Sequence, residues 1–256
     1  MATPRIVRDY KHGWPRRAVG MLIHSKMRKA FHRVHAQGME RLAASAEAEP
    51  AGTLLLANHS CWWDVFFAIY LYEFHVIPFD GYGMMEHFNM LRFGFFRRIG
   101  AFSVDRTDPA AVRESIAHAA SILARPRAAI WVFPQGRMVG PAVRPLGFQR
   151  GLSAIVARAG RVRLVPVAFR YEFWQEERPE AFVRFGAPEW ADRSSRHSVV
   201  ERMEARVTAE LDALDLDVAS QEAGRFEAVM SGPTSINERY ASLRARFRGP
   251  TPGAPA

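Results

Sequence analysis

Apolar and polar positions come in blocks along the chain, and the blocks predict strands and helices in turn. Thr53–Ala57 is a short apolar run behind Gly52 that suits a buried strand, and residues 61–72 are strongly apolar and long enough for a helix. Phe74–Pro78 is read as a second strand and Gly100–Arg106 as another, ending on a basic residue. Residues 109–124 read as a helix opened by Asp108 and Pro109, a cap and a first-turn residue. Ala128–Phe133 is the clearest buried strand, and a helix follows the loop that ends at Gly151. Val162–Phe169 and Ala181–Phe185 add two strands, the first carrying Pro166, which implies an edge, a bulge or a strand start. This alternation predicts a single α/β domain with a central, largely parallel (mixed) sheet flanked by helices.

The flanks have different patterns. Residues 16–36 place Val19, Leu22, Ile23, Met27, Ala30 and Val34 at helical spacing opposite Arg16, Arg17, Lys26, Arg28, Lys29 and Arg33. Such a basic amphipathic helix either lies in a membrane interface or packs on its own core. Residues 40–51, rich in Ala and Glu, read as a polar connector. A charged helix over 195–214 is followed by a capping box, Ser235 with Glu238, which opens a last helix with Ile236, Tyr240, Leu243 and Phe247 on one face. The Gly/Pro tail after Arg248 reads as disordered. The expected organisation is a basic N-terminal segment and connector (1–50), a main α/β domain (51–217), and a C-terminal helix and tail (218–256).

Charge changes the picture more than size does. The 256 residues carry a formal net charge of +9, which calls for an anionic partner such as a lipid head group or a phosphorylated substrate. The basic residues accompany amphipathic apolar faces, so no nucleic acid is expected. No uninterrupted apolar run reaches the roughly 18 to 20 residues that span a bilayer. The single cysteine, Cys61, excludes an intrachain disulfide and a cysteine-rich metal site, so no metal is expected; flanked by Ser60 and two tryptophans, it reads as a small helix residue.

Candidate chemistry concentrates at Asn58-His-Ser-Cys-Trp-Trp-Asp64. On one continuous helix His59 and Asp64 would point about 140° apart. They meet only if His59 lies in the turn before the helix and Asp64 on its first turn, with Ser60 available as N-cap. A neutral imidazole can take a proton from an attacking hydroxyl while a carboxylate on its other nitrogen fixes the tautomer. Residues 81–98 crowd Met and Phe beside Arg, a pattern open to core packing, an acyl-chain cradle or a membrane contact.

Four separated pieces occur in order: Asn58-His59 with Asp64, Gly100-Ala-Phe-Ser-Val-Asp-Arg106, Phe133-Pro-Gln-Gly-Arg137, and Val165-Pro-Val167. Together they resemble the blocks of the glycerolipid acyltransferases, the family of bacterial 1-acylglycerol-3-phosphate acyltransferase, and Phe148-Gln-Arg-Gly151 resembles that family's segment after the third block. The resemblance spans roughly residues 50 to 190. It implies transfer of a fatty acyl group from acyl-CoA or acyl carrier protein to a lipid hydroxyl, with His59 as general base, Asp64 orienting it, and no cofactor beyond that co-substrate. It further implies that Arg106 with Gln135, Gly136 and Arg137 binds the acceptor's phosphate, and that the protein sits peripherally on the cytoplasmic face of an anionic membrane. The third block departs from the family's usual Phe-Pro-Glu-Gly-Thr-Arg: Gln135 replaces the glutamate, and Arg137 and Met138 stand in the threonine and arginine positions. Ser103 replaces a large apolar residue in the second block. The leading acceptor is 1-acylglycerol 3-phosphate; the alternatives are a lipid without phosphate, such as a glycolipid or pigment glycoside, or a non-catalytic lipid-binding protein.

Overall fold

Thr53–Ala57, buried at every position, occupies the middle of a sheet, as its uninterrupted apolar run requires. The computed structural model describes residues 5–11, 13–48, 51–74, 76–174 and 176–247. In chain order these form α1 (Gly13–Ala30), β1 (Arg33–Gln37), α2 (Met39–Ala48), β2 (Thr53–Ala57), α3 (Trp63–Glu73), β3 (Asp80–Glu86), α4 (His87–Arg92), β4 (Ala101–Val104), α5 (Pro109–Leu123) and β5 (Ala128–Val132). Then follow α6 (Gly151–Ala159), β6 (Val162–Glu172), β7 (Glu180–Phe185), β8 (Glu189–Ala191), α7 (Val199–Ala219), β9 (Glu227–Ser231) and α8 (Ile236–Phe247). The nine described strands make one sheet in the order β4-β3-β5-β2-β6-β7-β1-β9, with β8 alongside β6. β4 to β6 in that order run parallel, β7 is antiparallel to β6, and β9 is antiparallel to β1.

One core lies under α1, α3 and the 3-10 turn at Gly94–Ile99, and the other under α5, α6 and α7. The connections from β2 and β3 leave over the first face, and those from β4 and β5 return over the second. The reversal falls where β3, β5 and β2 stand side by side, the place at which an open α/β sheet forms its ligand crevice.

Several expectations change. The N-terminal helix stops at Ala30, and Arg33–Gln37 is a strand between β7 and β9. Val34 continues the helical rhythm in sequence, yet it is buried in the sheet. The supposed connector is α2, held to the core through Leu42. Phe74–Pro78 is not a strand: α3 ends there, His75 lies outside the described residues, and the strand is Asp80–Glu86. Its glycines hid it, but Gly81 is needed, because a Cβ there would sit 2.1 Å from the Tyr72 ring. Pro166 stands inside β6, opposite the gap between the stretches that pair with β8 and β7, so no partner strand asks for the N–H it lacks. The charged helix runs from Val199 to Ala219, later than 195–214, because Asp192 caps a 3-10 turn first. The capping box forms: Ser235 N–H donates to Glu238 (2.9 Å) and Glu238 N–H to Ser235 Oγ (3.0 Å). Ile236, Tyr240 and Leu243 lie exposed, and the tail after Arg248 lies outside the described residues.

Candidate active site

Between β2 and α3 the chain makes a five-residue turn held at both ends. Asn58, buried, clamps the backbone of β6: its amide donates to Phe169 O (3.0 Å) and its Oδ1 accepts from Phe169 N (2.7 Å). His59 follows, its ring stacked on Phe133 with centroids 4.4 Å apart. Ser60 does not cap α3; Trp62 occupies that place without a side-chain bond. Asp64, on the first turn and fully buried, reaches back instead. Its Oδ2 accepts from the backbone N–H of Ser60 (2.6 Å) and Cys61 (2.9 Å) and lies 2.8 Å from His59 Nδ1. An oxygen already receiving two N–H groups can only accept from the ring, so Nδ1 carries the proton and Nε2 keeps its lone pair.

The other carboxylate oxygen has a partner that carried no sequence motif. Tyr171, 107 residues away on β6, donates its hydroxyl to Asp64 Oδ1 at 2.6 Å. Burial, reinforced by the charge of Asp64, holds this phenol well above its ordinary range, so it remains a donor at any working pH. The only signal in the sequence was a phenol near the end of the strand that carries Val165-Pro-Val167.

The third block braces the same turn. Gln135 is buried and accepts the His59 N–H on Oε1 at 2.6 Å, while Val139 N–H donates to His59 O at 2.8 Å. Gln135 therefore stands behind the histidine and does not line the cavity, unlike its neighbours Gly136 and Arg137. As an acceptor toward a backbone N–H, a Gln serves as well as the usual Glu. Gly136 has φ +66°, and a Cβ there would come within 2.7 Å of Arg106 Nη1, so glycine lets this guanidinium close over the turn. Glu204 of α7 accepts from the backbone N–H of Gly147 (2.8 Å) and Phe148 (3.0 Å), fixing the loop that presents Gln149 and Arg150.

These residues open onto a cavity of about 650 Å³. His59 stands in its wall and, among the described residues, no protein group bonds its Nε2. Arg106, Arg137, Gln149 and Arg150 line its polar part; Val65, Ala68, Ile69, Phe96 and Trp131 line an apolar part. Arg106 pairs only loosely with Glu86, at 3.4 Å with both side chains half exposed, so it can exchange that partner for a ligand's anion.

The surroundings of Cys61 do not activate its thiol. Burial first, and then the charge of Asp64, push its thiol above the ordinary range, and the reactive thiolate is correspondingly scarce. Iodoacetamide should alkylate Cys61 more slowly than it does a free thiol at neutral pH. Alkylation as fast as that of a free thiol would show an activated thiolate at this turn.

The comparison with known proteins agrees with this geometry. No curated protein matches the chain. The model of the acyltransferase family matches residues 33–170, from β1 through the His59 turn and the third block into β6, which is more than half of the sequence. The chain belongs to the acyltransferase family.

Proposed function

We propose that the protein transfers a fatty acyl group from acyl-CoA or acyl carrier protein to the free hydroxyl of 1-acylglycerol 3-phosphate. The observation that carries this reading is the position of His59: its unoccupied Nε2 lies in a cavity that is apolar on one side and lined by Arg106, Arg137 and Arg150 on the other. The acceptor's phosphate pairs with the arginines, whose forked donors suit it, and its hydroxyl donates to Nε2. As the hydroxyl oxygen attacks the thioester carbon, its proton moves to Nε2, and Asp64 stabilises the imidazolium through Nδ1–H. Collapse of the tetrahedral intermediate breaks the carbon–sulfur bond, and the imidazolium returns the proton to the leaving thiolate. No acyl-enzyme forms.

The altered third block was the support for an acceptor without phosphate. With Gln135 turned to the His59 backbone, that support rests on Arg137 and Met138. The test is mass spectrometry of the products when purified protein is offered both donors with lysophosphatidic acid, other lyso-lipids and a neutral glycolipid. Acylation of the glycolipid alone would refute the assignment and keep the mechanism, while binding without turnover above background would mark a non-catalytic protein.

Peripheral attachment to the cytoplasmic face of a membrane belongs to the same proposal. No helix among the described residues is long and apolar enough to cross a membrane. α1 packs Ile23 and Met27 into the core and turns Arg16 to Glu73 at 2.6 Å, yet leaves Trp14, Met21 and Leu22 exposed at 80%, 63% and 56%. Trp14 and Met21 fall within about 20° on the helix. Arg17, Lys26, Arg28 and Lys29 are exposed beside them, so the outer face is a second, basic and apolar stripe. Replacing both Trp14 and Met21 by Ser should weaken binding to anionic vesicles roughly tenfold or more, by removing two large apolar contacts. Added salt should weaken it further. An unchanged bound fraction would leave α1 with core packing only. Point substitutions are the cleaner probe, because deleting residues 1–37 would also remove β1.

A further inference from the structure

Beyond the last rung of the β3/β5 ladder the sheet forks. β3 and β5 pair only as far as Gly83 with Trp131. Past that rung β3 stays with β4 to Glu86, and β5 stays with β2 to Val132. The cavity passes through this fork and so has a lobe on each face of the sheet. One lobe, beside His59, lies among Val65, Ala68, Ile69 and Phe96 under α3; Gly83 opens it, since a Cβ there would meet nothing within 4 Å. The other lies among Met84, Val112, Ile116, Leu152 and Ile155 between α5 and α6.

Each lobe has its own chemistry. The lobe under α3 has His59 beside it and the Tyr72 phenol, which donates to Ile99 O at 2.6 Å, in its wall, a lining that suits the chain of the activated acyl donor. The walls of the lobe between α5 and α6 are helices whose entry segments carry Arg106 and Arg150, with apolar side chains one and two turns below. A cationic rim above an apolar well fits a molecule with an anionic head and one hydrocarbon tail. The donor's pantetheine arm fits it poorly, because its amides would be buried against Val, Ile, Leu and Met without partners.

Building on the acyl-transfer reading, we propose that the α5/α6 lobe is a second chain subsite, which holds the acceptor's own acyl tail while the donor's chain occupies the lobe under α3. The protein then selects a chain-bearing acceptor by contact, and both tails leave the bilayer for the reaction.

The experiment compares hexanoyl and myristoyl lysophosphatidic acid as acceptors, below their micelle concentrations, across a series of acyl-CoA chain lengths. Wild-type kcat/KM should favour the myristoyl acceptor about a hundredfold or more, since burying even about four of its eight extra methylenes in the lobe adds that much affinity. Ile116→Phe, which fills the second lobe, should collapse that ratio by about tenfold or more and leave the preferred donor chain length where it was. Gly83→Leu, which fills the first, should shorten the preferred donor and leave the acceptor ratio. Val112→Phe replaces Ile116→Phe if the latter does not fold. A shift of donor preference in Ile116→Phe, or an acceptor ratio that does not move, overturns the assignment. Calorimetric binding of the two lysophosphatidic acids without donor reads the lobe apart from turnover. Chain-length-dependent binding that Ile116→Phe removes supports the lobe even if no acyl transfer is seen, a result that would refute the enzyme reading instead. Equal binding of the two acceptors, or of glycerol 3-phosphate alone, overturns the lobe.

Discussion

His59→Ala is expected to lower turnover by on the order of 10²- to 10⁴-fold, the usual contribution of a positioned general base, with little change in stability. The ring stacks on Phe133 and gives Asp64 one of its several donors. Its loss leaves Asp64 with the Ser60 and Cys61 N–H groups and the Tyr171 hydroxyl, so the carboxylate keeps its partners. About 1 kcal/mol is a fair cost for the missing bond, or about 2 to 4 °C in Tm for a chain of this size. A folded variant with near-normal turnover would mean that another group removes the acceptor's proton.

Changes at Asp64 should divide by chemistry. Asp64→Ala removes the common acceptor of the His59, Ser60, Cys61 and Tyr171 donors from a fully buried site, and the penalty is on the order of 3 to 5 kcal/mol, with no measurable transfer. Asp64→Asn is milder than serine-protease precedent implies. There the analogous change costs about 10⁴-fold because it leaves the histidine in the wrong tautomer. Here the N–H groups of Ser60 and Cys61 force the amide oxygen to the His59 side, and the amide nitrogen turns to Tyr171, whose hydroxyl can accept. The tautomer survives and only the stabilising charge is lost, so turnover should fall about 10²-fold with Tm nearly kept. Turnover and thermal melting of both variants check this; an Asn variant as unstable as the Ala variant would show that the amide does not seat this way.

The site was legible where one short segment carries it and obscure where the fold assembles it. His59 and Asp64 could be paired once residues 53–57 are read as a strand and 61–72 as a helix, since a turn followed by a helix leaves them one way to meet. Tyr171 and Phe133 could not be placed, because the contact each makes depends on strands brought together over long separations. Gln135 was visible as a departure from the family's pattern, but its task depended on which way a buried amide faces. The parallel strands from β2 to β6 announced themselves by apolar runs, apart from β3, whose two glycines and terminal Asp80 and Glu86 have low strand preference. β1 was hidden by coincidence: Met27, Ala30 and Val34 keep a helical interval across the break at Phe31 and His32. α2 gave little signal, having Leu42 as its described anchor in the core.

The pairing of β1 with β7 and β9 bears on the order in which the chain is made. β1 emerges during synthesis before the other described strands, yet its hydrogen-bonding partners on both sides lie beyond residue 179. Until those residues follow, Val34 and Ala36 sit on a strand with two open edges, a hazard for intermolecular pairing. The outer edge is closed last, by Glu227–Ser231, and two further bonds seal the corner: Arg28 Nε donates to Ser231 O (3.2 Å) and Gly232 N–H to His32 O (2.7 Å). A chain ending at residue 226 should therefore be recovered largely in aggregates when expressed, whereas one ending at residue 247 stays dispersed, and the pelleted fraction of each measures how much the last strand protects the first.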